Sequence, residues 1–407
     1  IPKYYYLIFL NTFIKIQVKV FRLIYYKIMK KYKVLIAHNH SSIEILHTLV
    51  PLYLLSKNSL KYSLKFIDFK FFNKFQKADI LILTRKYHNF NISINKNRKI
   101  ILNDIKRYKN QFKKVIYFDD SAAVSHILYF ILPFVDSYWV RGLLKDKSQY
   151  EKKLYGGRTF SDFYFEKYKI VDEIKIESPS FKYINDGKIK VAWNIGIGCF
   201  PIYRNNIYNR YYFVIRKLCC ILSFFSFDFL IIKIISFYIF QMKKELKNKT
   251  DTKLNNSLIS ARFTYENYSN SVGFNRKLAF NKIKDNYKFI KGKLSLWNYI
   301  EECSRLLAIF SPFGWGEICY RDFEAILSKS LLIKPDMGHL ETWPNIYKKS
   351  LYYKLDWEFK TIKDIDNFVD KNNKQIYSII NNASYVYLKA LEDCTSRAEL
   401  LLDQIIS

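Results

Sequence analysis

The sequence predicts an α/β fold with parallel sheets, divided between two Rossmann-like domains, and three observations predict it. Short apolar runs alternate with helical stretches through the first half of the chain, the pattern of strands covered on both faces by crossover helices. A second alternating series begins at Ser257. The length, 407 residues, exceeds what one core ordinarily organises, so two domains of similar size are expected. With 50% hydrophobic and 25% charged residues, the composition is that of a globular chain rather than a disordered one.

In order along the chain, residues 1–28 are aromatic, aliphatic and basic. Their longest charge-free run stops at Lys15, short of the ~18 apolar residues a spanning helix needs, and no small-residue cleavage site follows. Met29 then opens "MKKYKVLIAHNH", which reads as a protein start followed at once by a strand. Residues 1–28 are therefore expected to be a basic, apolar extension outside the functional core. An N-terminal Rossmann-like domain is expected over 29–200. Its first strand is the apolar run Val34 to Ala37, ending at His38, and a helix is expected from Ser42 to about Ser56. Further strands are expected at Ala78 to Thr84, Lys114 to Asp120, Ser137 to Gly142 and Lys190 to Gly198, with a helix after Asp120.

Residues 201–255 break the alternation. Tyr211 to Lys244 is strongly apolar, yet Arg216, Lys217, Asp228 and Lys233 interrupt it. The ten residues between Lys217 and Asp228 are too few to span a bilayer, and Asp228 and Lys233 are costly near its centre. Two readings fit: a surface lying on an anionic membrane, or a pair of helices buried between the domains. A C-terminal domain is expected over 256–407. It holds a strand in "SLISARF", helices from Gly273 and Ser295, the strand of "RLLAIFSPFGWGE", the helix containing Glu324, the strand Leu331 to Pro335, and a helical end from about Lys363 to Ile406.

Lysine and arginine number 67 against 36 acidic residues, a formal charge of +31. Such an excess suits an anionic partner. The lysines are spread along the chain with no dense basic tail, so the charge is weak support for nucleic-acid binding and no nucleic-acid partner is expected. The six cysteines form no C-x-x-C pair, which fits a reducing, cytoplasmic compartment.

The densest chemistry is "SPFGWGEICYRDFEA", Ser311 to Ala325. Gly314 and Gly316 follow a buried strand, where bare backbone can approach a ligand. The helix after them aims free N–H groups at the same place, which favours a phosphate. Placed on one helix, Glu317, Arg321 and Glu324 form a single polar stripe. It begins at a strand's C-terminal end, where α/β domains bind ligands. On the first domain His38, His40, Asp119 and Asp120 also follow strand ends, and a neutral histidine suits general-base work. His38 and His40 stand at i, i+2 without a cysteine, a poor metal pair. Asp364-Ile365-Asp366 precedes a helix and reads as a cap.

The run Ser311 to Asp336, "SPFGWGEICYRDFEAILSKSLLIKPD", resembles the nucleotide-sugar-binding segment of GT-B glycosyltransferases, and its continuation to Tyr347 resembles group 1 family members. Over Lys33 to about Leu388 the likeness is looser. The resemblance implies two Rossmann-like domains facing a cleft, a C-terminal helix crossing back, and transfer of a sugar from a nucleoside diphosphate sugar. It implies Glu324 at the nucleotide ribose and Glu317 near the donor sugar, although with six residues between them Glu317 is one residue closer than in many retaining members. It also implies cations at the diphosphate. Arg262, at a strand end, is the expected one, while Arg276 and Lys277 read as surface charge. His38 and Asp119 are the acceptor-side candidates. No metal and no cofactor are expected. The implied acceptor is a glycan or lipid-linked glycan at the cytoplasmic membrane face, as in polysaccharide biosynthesis. The rival readings are a catalytically degenerate membrane scaffold and, supported by charge alone, a basic nucleic-acid-binding protein.

Overall fold

The computed structural model describes residues 31–72, 77–88, 95–152, 154–155, 157–172, 175–176, 187–201, 211–248, 257–268 and 270–406. The extension expected over 1–28 lies outside them. The first domain is built on six parallel strands: β1 (Tyr32–His38), β2 (Tyr62–Asp68), β3 (Ile80–Thr84), β4 (Lys114–Asp119), β5 (Ser137–Val140) and, after a short β6 (Gly142–Leu144) that leaves the sheet, β7 (Ile189–Val191). Their order is β2-β1-β3-β4-β5-β7, and Val34 of β1 sits between Leu64 and Ile80. Helices α1 (Val50–Asn58), α2 (Asn95–Gln111) and α3 (Thr159–Tyr168) belong to the same domain. The apolar runs of β1, β3 and β4 are buried, as strands covered on both faces must be.

Several elements differ from expectation. The helix expected from Ser42 is a π-helical turn, Glu44–Thr48, followed by α1. No helix follows Asp120. The chain runs as a loop to a 3₁₀ turn, Tyr129–Phe134, which contains Pro133, and the Tyr138 hydroxyl accepts from the Leu128 amide at 2.9 Å. The strand expected to reach Gly198 stops at Val191. Gly198 lies in the turn beyond it, where an added β-carbon would stand 2.0 Å from His47 Nδ1.

The intervening segment forms α4 (Tyr212–Phe224) and α5 (Asp228–Lys247). Helix α5 buries Ile231, Ile235, Tyr238 and Met242 against α1 and the last helix of the chain. Buried packing therefore describes one face of α5, while Phe229 and Phe240 on it stay exposed. Among the described residues no helix is long and apolar enough to cross a membrane.

The second domain has five parallel strands: β8 (Ile259–Ser260), β9 (Phe289–Ile290), β10 (Ala308–Phe310), β11 (Leu331–Pro335) and, after β12 (Leu340–Thr342), β13 (Tyr353–Leu355). The order is β9-β8-β10-β11-β13. Both sheets thus follow the doubly wound 2-1-3-4-5 order, with a switch point between first and third strands. Helices α6 (Asn270–Ile283), α7 (Leu296–Arg305), α8 (Tyr320–Leu327) and α9 (Asp364–Lys371) cover this sheet, and α10 (Asn373–Ile406) ends the chain. The start of α10 packs Ile376, Ile379 and Ile380 into the second domain's core. Its end packs Leu391, Leu401 and Leu402 into the first domain's core. Lys61 Nζ and Asp403 Oδ1, 2.7 Å apart, fix that end. The crossover helix expected from the sequence is therefore present.

The two domains also meet through main chain. β12 of the second pairs antiparallel with β6 of the first, Leu340 opposite Leu144 and Thr342 opposite Gly142. Nearby, Ser161 of α3 and Ser271 of α6 share a hydrogen bond of 2.6 Å.

Candidate active site

The switch points of the two sheets face each other across a cavity of about 830 Å³. The first domain lines it with Ile43, with Arg85 and Lys86 after β3, with Asp120 to Ala122 after β4, and with Arg141 after β5. The second domain contributes Tyr268, Arg276, Tyr299, Gly314 to Gly316, Ile318 to Arg321, and Glu324. Five residues of the sequence-predicted set are brought together here, Gly314, Gly316, Arg321 and Glu324 from the second domain and Asp120 from the first. Five cationic side chains in this lining face two carboxylates, which gives the cavity a positive potential.

Helix α8 starts at Tyr320, not at Glu317. Its start is a capping box: Asp322 Oδ2 accepts from the Cys319 amide at 2.9 Å, and the Cys319 side chain faces back to the third helical position. The other oxygen, Asp322 Oδ1, accepts from Lys334 Nζ at 2.9 Å and Ser311 Oγ at 2.7 Å, in a fully buried cluster. These bonds pin the glycine loop to the helix and to β11. The single stripe expected for Glu317, Arg321 and Glu324 therefore does not form, because Glu317 precedes the helix. Glu317 is buried and outside the cavity lining. Burial raises its pKa, and nearby Arg158 opposes that rise.

Glu324 Oε2 accepts from the Tyr299 hydroxyl at 2.9 Å. Arg321 donates from Nη2 to the Arg262 carbonyl at 2.7 Å. Burial works against its charge, and Tyr299 and Glu324 beside it more than offset that. The Arg262 side chain is not in the cavity lining. Its fork is closed on Glu302, with Nε 3.0 and 3.1 Å from the two carboxylate oxygens, and on the Lys291 carbonyl. The strand-end position suggested a diphosphate ligand, but Glu302 of α7 occupies that guanidinium. Arg276, read from the sequence as surface charge, lines the cavity instead. Its Nε donates to the Phe313 carbonyl at 2.8 Å, its Nη1 to the Thr264 carbonyl at 3.0 Å, and its guanidinium lies 4.2 Å from the centre of the Tyr268 ring. The available signal was its place one helical turn after Val272 on a helix of a ligand-binding domain, which is not specific.

On the acceptor side, Asp119 is buried and outside the lining. It accepts from Arg85 Nη1 at 2.8 Å on both oxygens and from the Tyr138 hydroxyl, so it sets the position of Arg85. Asp120 is the carboxylate that reaches the cavity, with Thr48 Oγ1 at 3.0 Å and Arg141 Nη2 at 3.3 Å. His38 does not line the cavity. Its Nδ1 lies 2.8 Å from the Asn39 carbonyl oxygen, and burial lowers its pKa to about 4, so the ring is neutral. His40 sits 2.8 Å from Asp68. Sequence reading passed over Glu44, which is buried beside Asp120. Burial, with the Asp120 charge adding to it, raises its pKa to about 8. Asp364 opens α9, and Asp366 accepts from Asn286 Nδ2 at 2.8 Å, outside the cavity.

No protein-family model matches the chain, and no curated protein matches it. Solved structures similar to it include an alpha-glucosyltransferase in complex with UDP, at 10% identity and a TM-score of 0.43, covering 93% of this chain and 100% of the other. A glycosyltransferase from Rickettsia africae is similar at 13% identity and a TM-score of 0.42, over 93% and 100%. A UDP-N-acetylglucosamine 2-epimerase is similar at 8% identity and a TM-score of 0.41, over 93% and 98%.

Proposed function

We propose that this chain is a glycosyltransferase that moves a sugar from a nucleoside diphosphate sugar to a glycan or lipid-linked glycan. The setting we propose is polysaccharide assembly at the cytoplasmic face of a membrane. One observation carries the reading: a cationic cavity at the facing switch points of both sheets, with Glu324 held at its wall by Tyr299. The diphosphate lies along Gly314 to Gly316, where Arg276 meets it from the second domain and Arg85, Lys86 and Arg141 from the first. Breaking the bond to the anomeric carbon leaves the electron pair on a phosphate oxygen, and these fixed cations stabilise the growing charge. Side chains of the cavity supply that charge, so neither a metal nor a cofactor belongs to the proposed reaction. Glu324 accepts hydrogen bonds from the ribose hydroxyls. The acceptor hydroxyl enters from the first domain, and Asp120, the carboxylate lining that wall, takes its proton as the new bond forms.

A thermal-shift panel of nucleoside diphosphate sugars tests the reading. At least one donor should raise the unfolding midpoint of the wild type. Glu324→Ala and Arg276→Ala should each weaken that donor's apparent affinity about tenfold or more, the range for losing a charge-assisted hydrogen bond. A donor that stabilises all three proteins equally removes both assignments.

A further inference from the structure

The proposed reaction makes no use of the outer side of α4 or of the elbow after it. Inward, α4 buries Tyr212, Cys219 and Leu222. Outward, Val214, Leu218, Ile221 and Phe225 follow one another at i, i+4, i+7 and i+11, each between 43% and 61% exposed. Phe227 and Phe229, 47% and 58% exposed, continue the stripe around the elbow. A helix on a water-facing surface carries polar residues on that side, and a contiguous exposed apolar patch marks a contact site.

Charge selects the occupant. Lys217 is exposed on the same helix. Lys233 Nζ stands 5.8 Å from the Phe229 ring centre, and Lys70 Nζ stands 5.8 Å from that of Phe224. Phenylalanines ringed by lysines fit a bilayer interface: the rings enter the acyl boundary while the ammonium groups reach the phosphates of anionic lipids. The formal charge of +31 opposes pairing with a second copy through the same basic face. Position agrees as well. Arg216 Nη2 lies 3.2 Å from Ser42 Oγ, and the next residue, Ile43, lines the cavity.

We infer that the outer face of α4 and the elbow Phe225 to Phe229 dock onto an anionic lipid surface, setting the rim of the cleft against the bilayer. Delivery of a lipid-linked acceptor to that rim rests on the proposed function, whereas the docking itself does not.

Flotation of the full chain with vesicles tests this, using phosphatidylcholine alone and phosphatidylcholine mixed with phosphatidylglycerol. The wild type should float with the anionic vesicles and less with the neutral ones. The triple variant Phe225→Ser, Phe227→Ser, Phe229→Ser should lose about tenfold or more in partitioning. The single variant Lys217→Glu should weaken flotation with anionic vesicles, and it serves as a control if the triple variant folds poorly. Undiminished flotation of both variants overturns the inference and moves the contact elsewhere, residues 1–28 being the next basic, apolar candidate. Absence of flotation, with wild-type dimers that the triple variant abolishes in sedimentation, also overturns it in favour of a second copy. The donor thermal shift measured on the same samples separates the two readings. A wild type that floats but responds to no donor keeps the docking and removes the transferase, and a donor response without flotation does the reverse.

Discussion

Gly316 holds its place through space rather than backbone torsion. A β-carbon there would lie 1.7 Å from the carbonyl oxygen of Ala122 on the opposite domain. Neither side of that approach is a side chain that can rotate away, so Gly316→Ala should push the loop off the first domain. We expect it to lose the donor-induced thermal shift while keeping wild-type far-UV circular dichroism. An unchanged donor shift would mean that this approach does not shape the cavity. Gly314 is less confined, with an added carbon 3.3 Å from Cys319 Sγ and 3.5 Å from Arg276 Nη2. Of the residues legible in the sequence, Gly314, Gly316, Arg321 and Glu324 belong to one continuous segment whose pattern carries its own geometry, and Asp120 showed itself by its place at a strand end. Arg276 and Glu44 were not legible there. Each stands beside segments distant in the chain, such as Phe313 for Arg276 and Asp120 for Glu44, which no local pattern reports.

At the scale of the element, α8 depends on the buried pair Asp322 and Lys334, both 0% exposed and 2.9 Å apart. Removing one partner strands the other's charge in the interior, a loss of roughly 3–5 kcal/mol. Lys334→Met should therefore lower stability by about that amount in denaturant unfolding. Asp322→Asn combined with Lys334→Met should recover part of the loss, since no lone charge remains. Equal losses in the single and double variants would show that the pair matters for shape and not for charge. The same pair explains why the helix start was misplaced in the sequence. Asp322 looks like one more charge on a polar face, and only its partners, Ser311, Lys334 and Tyr347, reveal it as the residue that ends the loop. The apolar strands were easier to read. β3, β4 and β11 stand out because burial on both faces demands unbroken apolar runs. β2, with Ser63 and Lys65 on its exposed positions, and α2, with its many lysines and asparagines, carry no such signal.

Over the whole molecule, four histidines lie in surroundings that favour the neutral ring. Burial lowers His38, His126 and His339 to about 4 and His47 to about 3 from an ordinary 6.5. Between pH 6.5 and about 4 the unfolded chain binds more protons at these sites than the folded one. Their contribution is therefore complete above pH 6.5 and is lost as the pH falls toward 4. Glu44 has the opposite sign: raised to about 8, it binds its proton in the fold and not in the unfolded chain, and its contribution is lost as the pH rises from the ordinary carboxylate range through 8. The unfolding midpoint should consequently peak near pH 6.5, with the steeper fall on the acid side. Glu44→Gln should flatten the alkaline side and steepen the acid side. A midpoint that stays constant between pH 5 and 6.5 contradicts the neutral state of the histidines.

The antiparallel ladder between β6 and β12 works as a seam sewn between the two domains. Its stitches are peptide groups, so substitutions on either strand leave the join intact, except at Gly142, where a β-carbon would meet the Glu341 carbonyl oxygen at 3.1 Å and Thr342 Cγ2 at 3.2 Å. A divergent relative could therefore change every wall of the cavity while keeping the register in which its two halves are held.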